Sequence, residues 1–321
     1  MDVARLYRNC RLCPRDCGTD RVSALAGTRC GAYCGEGADL RLAFAGLHLG
    51  EEPPLSGKGG SGAIFVSGCN LGCAFCQNWQ VSGGGSAGGA QPGGRLGRAV
   101  STKEFAAICA GLERRGAENV NIVTGSHAVP AIARGLRAAK VCGLGIPVLW
   151  NSSAYERTQT LELLDGLVDT WLPDLKTLDS DLAARFFRAP DYPRVAAAAI
   201  RWMAENRPHG VIVRHLILPG RIESTREVLR WFAGNVAGSA QLSLMSQYTP
   251  MAPGRARQPG RFLSRREYET VLCWLGEFGI EDGFCQELAP GSGWLPDFNR
   301  PNPFSSGLSV PVWHFAENIV N

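Results

Sequence analysis

Cysteines dominate the chemistry this sequence can do. Twelve occur among 321 residues, too many for inert core thiols. The chain begins Met-Asp-Val-Ala-Arg-Leu-Tyr, without the apolar stretch of a signal peptide. It is therefore expected in the cytoplasm, where structural disulfides are rare and metal binding is the natural use of clustered thiols. Cys10, Cys13, Cys17, Cys30 and Cys34 lie near the N-terminus, and Cys69, Cys73 and Cys76 follow as a compact group. Cys109, Cys142, Cys273 and Cys285 have no ligand spacing and read as small buried hydrophobes.

The compact group is a C-x3-C-x2-C triplet within Ser67-Gly68-Cys69-Asn70-Leu71-Gly72-Cys73-Ala74-Phe75-Cys76-Gln77-Asn78-Trp79. A structural zinc or an ordinary four-iron cluster takes four protein ligands, so three thiolates leave one coordination position for something that is not protein. Such an open site suggests chemistry; a zinc site completed by a distant Cys or His is the plainer alternative. The N-terminal Cys10-x2-Cys13-x3-Cys17-x12-Cys30 supplies four thiolates in a segment bent at Pro14, Gly18, Gly27 and Gly31. Four ligands close a shell, and tetrahedral zinc and an auxiliary iron–sulfur cluster both accept them. Cys34 is a substitute ligand or a spectator. If the metal is zinc, a segment on the order of 50 residues has little core of its own and folds only with it.

These side chains need elements to hold them. Hydrophobic residues are 45% of the chain and charged ones 19%, which excludes the disordered class. Lys plus Arg number 33 against 29 acidic residues, a net +4 that points to neither nucleic acid nor a membrane surface. No apolar run approaches the roughly 18 residues of a membrane span. From Ala63 onward, short apolar runs alternate with amphipathic stretches, the pattern of βα units around a parallel sheet. Strands are expected at Ala63–Ser67, Asn119–Val123, Ile146–Trp150, Thr170–Pro173, Val211–Leu218 and Gln241–Tyr248. Helices are expected at Thr102–Arg115, where Phe105, Ile108, Cys109 and Leu112 share a face, and at Pro130–Val141, Arg157–Leu167, Tyr192–Asn206, Ser224–Asn235 and Ser264–Phe278. This predicts an α/β fold, a partial (β/α)6 TIM-like barrel. The expected divisions are an N-terminal Cys-rich metal-binding segment (1–60), the barrel (61–262), and a C-terminal helix with a coil packed on the barrel (263–321). The glycine-rich Ser82–Gly97 reads as a linker. The triplet falls after the first barrel strand, on the face where such folds place active sites.

C-x3-C-x-aromatic-C at that position resembles the radical S-adenosylmethionine (SAM) superfamily, in a subgroup similar to the pyruvate formate-lyase activating enzyme. The resemblance implies that Cys69, Cys73 and Cys76 hold a 4Fe–4S cluster whose fourth iron binds SAM, with Phe75 against the adenine. Cleavage would yield methionine and a 5′-deoxyadenosyl radical, with the electron coming from a flavodoxin or ferredoxin. At the second strand end, where relatives carry Gly-Gly-Glu for the SAM amino group, this chain has Thr124-Gly125-Ser126-His127, so hydroxyls and carbonyls would take that role. Asn151 stands at the third strand end. Asp174-Leu175-Lys176 resembles an Asp-Leu-Lys motif whose charges contact SAM, and in extended chain both side chains share a face. Arg214 or His215 would approach the SAM carboxylate or ribose, although a histidine on an apolar strand also reads as a core residue. By the same resemblance Gln247, in Met245–Tyr248, would be the ribose contact. Leu47–Pro54, Trp294–Phe298 and Pro311–His314 extend the likeness over nearly the whole chain; His48, Glu51 and Glu52 would line the substrate side or cap the barrel.

The expected function is hydrogen abstraction from a glycyl residue of a partner protein, or from another substrate. A different class of reading is a zinc-bearing interaction module on an inactive barrel, for which Arg5, Arg8, Arg11, Arg15 and Arg21 supply a basic stretch.

Overall fold

Parallel strands covered on both faces need short, nearly unbroken apolar runs, and the computed structural model turns each of the six expected runs into such a strand. It describes residues 3–24, 30–83, 96–251, 258–288 and 291–317. In chain order the strands are β1 (Arg41–His48), β2 (Ser61–Val66), β3 (Arg98–Ala99), β4 (Val120–Val123), β5 (Val148–Ser152), β6 (Thr170–Pro173), β7 (Ile212–Leu216), β8 (Gln241–Met245), β9 (Gly283–Cys285) and β10 (Ser309–His314). β2, β4, β5 and β6 pair in parallel in that order, as do β7, β8 and β9. The two groups join where Trp171 and Asp174 bridge Val211 and Arg214. The result is a partial TIM-like barrel, in which β2 and β4 are buried at every position.

Four strands were not expected from the sequence. β1 pairs antiparallel with β2, β10 and the short β3 pair antiparallel with β1, and β9 extends the parallel series. β1, within the segment drawn at 1–60, pairs along its length with β2, so the sheet runs through that division. The coil at 291–308 packs on the barrel: Phe298 is fully buried, its ring meeting Phe65 and Phe304. Residues 84–95, most of the glycine-rich stretch, lie outside the described residues.

The helices follow their caps. Thr102–Arg114 starts at Ser101, whose side chain accepts from the Glu104 N–H, and Arg265–Glu277 starts with a capping box between Ser264 and Glu267. The helix expected over 157–167 is a correction: only Thr158–Leu161 is helical, followed by a single 3-10 turn. Asp165 leaves the helical region and Gly166 adopts φ +66°, a turn pair that stops the helix. A helix at Ser180–Phe187 went unrecognised, although Asp179 caps it through the Asp181 and Leu182 N–H groups.

Core packing reaches the strand ends. The ring of Trp150, fully buried, lies where a Cβ on Gly125 would come within 2.5 Å of it. Gly125→Ala is expected to cost roughly 1–3 kcal/mol of stability by overpacking, measured as a lower urea midpoint at unchanged slope.

Candidate functional site

The loops after the parallel strands meet around a cavity of about 280 Å³. Cys69, Cys73 and Cys76, on the loop after β2, all line it, and all three are of intermediate burial and outside any disulfide. The loop is held from several sides. Gly68 takes φ +90° with Glu36 and His127 packed where a Cβ would sit, so only glycine fits there. His127 Nε2 lies 2.8 Å from the Ser67 carbonyl, and Asn70 donates to the Tyr155 carbonyl. Phe75 is buried among Phe186, Phe187 and Tyr248.

Of the other residues singled out in the sequence, Phe75, Thr124, Asn151, Asp174, Lys176, Arg214 and Gln247 line the same cavity. Asp174 and Lys176 form an ion pair at 2.5 Å. Burial alone would discharge the lysine, and the Asp174 carboxylate holds it as ammonium. Thr124 adopts φ +65°, unusual for a β-branched residue, as its N–H bonds the Asn151 carbonyl. Burial raises the Cys73 thiol; Lys176 opposes this, while the neighbouring thiols and Asp174 add to it.

Three expected contacts are corrected. His215 points away from the cavity: its Nδ1 lies 2.6 Å from the Leu175 carbonyl and its Nε2 2.9 Å from the Thr225 hydroxyl. Strand alternation sends Arg214 inward and His215 to the covering helix. Gly125 and Ser126 do not line the cavity either. Gly125 faces Trp150, and the Ser126 side chain bonds Glu156. Arg214, although it lines the cavity, is engaged by two carboxylates: its Nε donates to Glu52 at 2.9 Å, and its Nη2 donates to Glu51 and Glu52. Burial would raise the Glu52 carboxyl, but the guanidinium overrides this and holds it low. Arg214 therefore organises the wall of the cavity, which His48 and Glu51 share.

Glu156 was not foreseen. It is buried, accepts from Trp150 Nε1 at 2.9 Å and from the Ser152 hydroxyl at 2.7 Å, and burial raises its carboxyl. Four residues past the end of β5, it ties β5 to the loop after β4. Its position in a loop with no recognisable spacing hid it. Trp294, Pro296 and Phe304, from the C-terminal coil, also line the cavity.

In the N-terminal segment Cys10, Cys13 and Cys34 are buried, Cys30 is intermediate and Cys17 exposed. Burial raises Cys13 to about 11 and Cys34 to about 12. The buried Arg21 guanidinium donates to Cys10 Sγ at 3.5 Å and to the His127 carbonyl at 2.7 Å. Arg21, and Arg15, whose guanidinium donates to the Asn70, Leu71, Phe187 and Arg188 carbonyls, are thus spent on internal partners, and Arg11 pairs with Asp16, which removes much of the basic face an interaction module would need. Among the scattered cysteines only Cys109 is buried; Cys142, Cys273 and Cys285 are exposed, contrary to their reading as core residues.

Among the described residues no three His, Cys, Asp or Glu side chains gather tightly enough for a single metal ion. A four-iron cluster takes each cysteine on a different iron, so its thiolates stand further apart than those of a lone ion. Cys69, Cys73 and Cys76 face this one cavity, and among the described residues no other cysteine lines it.

The profile of the radical SAM superfamily matches residues 63–232, more than half of the chain, which belongs to that superfamily. Its cofactors are accordingly a 4Fe–4S cluster and SAM. An uncharacterized protein of Methanocaldococcus jannaschii is 28% identical over 258 residues, covering 78% of this chain and 69% of the relative. SuiB of Streptococcus suis is similar in structure, with a TM-score of 0.50 at 17% identity over 68% of this chain. The match covers 47% of SuiB, so this chain spans about half its length. A domain of the pyruvate-formate lyase-activating enzyme from Bacteroides vulgatus aligns with 49% of this chain and 89% of its own, at TM-score 0.37 and 16% identity. Among the described residues no helix is long and apolar enough to cross a membrane.

The burial of His215 sets a pH dependence. Burial lowers it to about 4, against about 6.5 when unfolded. The unfolded chain thus binds the extra proton between these values, and stability falls as pH drops from about 6.5 toward 4. His215→Gln is expected to remove this pH dependence, on the order of 3 kcal/mol summed over the window, measured as urea midpoints across this range.

Proposed function

We propose that this chain cleaves SAM reductively and takes a hydrogen atom from a glycyl residue of a partner protein, or from another small substrate group, as an activating enzyme does. The single observation that carries the reading is the convergence of Cys69, Cys73 and Cys76 with Phe75, Thr124, Asn151, Asp174, Lys176 and Gln247 on one cavity. When bound, the cluster supplies one electron to the SAM sulfonium, giving methionine and a 5′-deoxyadenosyl radical.

The chain's own residues bind, orient and enclose. Asp174 and Lys176 present a paired carboxylate and ammonium to the amino and carboxylate groups of SAM. The Thr124 and Asn151 strand ends supply hydroxyl and amide contacts, and Gln247 reaches the ribose. Phe65, Trp294, Pro296 and Phe304 form an apolar wall that keeps water from a species reactive toward most C–H bonds. The cavity that the cysteines line must be shared between SAM and substrate. A glycyl residue suits this, because it offers its Cα hydrogen with no side chain to accommodate. A flavodoxin or ferredoxin is the proposed electron donor. The N-terminal cysteines are proposed as a second metal site; among the described residues no three of them gather tightly enough for a single ion, which favours an iron–sulfur cluster over zinc.

Anaerobically reconstituted protein with dithionite should release 5′-deoxyadenosine from SAM, and replacing Cys69, Cys73 and Cys76 together by alanine should abolish the release. Persistent cleavage in the triple variant would overturn the reading. Iron, zinc and sulfide counts with and without Cys10, Cys13, Cys17 and Cys30 should differ by one zinc or one cluster; equal counts would remove the second site.

A further inference from the structure

The cluster loop is gripped by a residue of the N-terminal cysteine segment. Arg15 lies between Cys13 and Cys17, and its guanidinium reaches across to four backbone carbonyls. Its Nε donates to Asn70 at 2.8 Å, its Nη2 to Leu71 at 3.0 Å and Phe187 at 2.9 Å, and its Nη1 to Arg188 at 2.6 Å. The Tyr33 ring stacks 3.8 Å beneath the guanidinium, and its hydroxyl donates to the same Leu71 carbonyl at 3.1 Å. The Asn70 carbonyl belongs to the same peptide group as the Leu71 N–H, and that N–H donates to Cys69 Sγ at 3.3 Å. A cation, one peptide and a cluster-binding sulfur therefore stand in line.

We propose that Arg15 is a positioning residue that sets the reduction potential of the cluster held by Cys69, Cys73 and Cys76, acting through the Asn70–Leu71 peptide. A positive charge on a carbonyl polarises its amide and strengthens the N–H on the far side as a donor. Hydrogen bonds to ligating sulfur and nearby positive charge both favour the more negative, reduced cluster, and so raise its potential. Arg15 also ties the cluster loop to the loop after Ser180–Phe187, fixing the direction of the Leu71 N–H. Because it is flanked by Cys13 and Cys17, whatever orders the N-terminal thiols also orders this relay. The proposal rests on the superfamily's cluster being bound at the triplet.

The test is a redox titration of the cluster-loaded full chain, following by electron paramagnetic resonance the signal that SAM perturbs, for wild type, Arg15→Gln, Arg15→Lys and Tyr33→Phe. Arg15→Gln should be harder to reduce, with the ratio of reduced to oxidised cluster at a fixed potential falling roughly tenfold, about 59 mV for a one-electron couple. Arg15→Lys, which keeps the charge but not the fork, should recover part of the difference, and Tyr33→Phe should shift it least. Equal potentials for wild type and Arg15→Gln would overturn the proposal. If Arg15→Gln fails to load, Arg15→Lys decides: a potential below wild type supports the relay, and an equal one overturns it. A wild-type protein with no SAM-sensitive signal would fault the cluster assignment and this proposal with it, whereas an unmoved potential beside normal SAM cleavage faults this proposal alone.

Discussion

The rest of the structure depends on holding Cys69, Cys73 and Cys76, three thiols of one short loop, against a single cavity. A C-x3-C-x2-C segment released from its surroundings would sample many shapes, since each unfixed residue retains backbone entropy worth about 1–2 kcal/mol. The barrel removes that freedom at the loop's start, where β2 is buried at every position and Gly68 turns in a conformation only glycine adopts cheaply. The N-terminal segment removes more of it through Arg15 and Tyr33. The cluster loop is thus a joint product of two parts of the chain that sequence reading treated as separate.

The charges around the cavity obey one rule: each is paired before it is buried. Lys176 is matched to Asp174 and Arg214 to Glu51 and Glu52, because an isolated charge in such surroundings would neutralise itself. The Asp174 pair lies with the cysteines in the cavity lining, and the Arg214 triad braces the wall built from β1, β7 and the turn after β1. This separates groups able to meet the ionic ends of SAM from groups that hold the barrel mouth in shape.

Much of this could be read from the sequence, for physical reasons. The six apolar runs bury both faces and so keep their identity as strands, and the triplet's spacing is short enough that one loop fixes it. Strand alternation placed Asp174 and Lys176 together correctly, but applied one residue too generously it admitted His215, whose hydrogen bonds lie on the outer face. Arg214 could not be judged, because its partners Glu51 and Glu52 lie more than 160 positions away. Glu156 and Arg15 were hidden for the same reason: a loop carboxylate and a loop arginine have no periodicity, and their roles exist only once distant carbonyls and hydroxyls are brought beside them. The helix at Ser180–Phe187 was legible in its Asp179 cap and was overlooked.

The central claim is an iron–sulfur cluster at Cys69, Cys73 and Cys76 whose open corner accepts SAM. The most direct measurement is the electron paramagnetic resonance spectrum of the dithionite-reduced, cluster-loaded protein with and without SAM. The account requires the cluster spectrum to change on addition of SAM, because the ligand joins one iron. A spectrum indifferent to saturating SAM would mean that the corner is closed, and would contradict it.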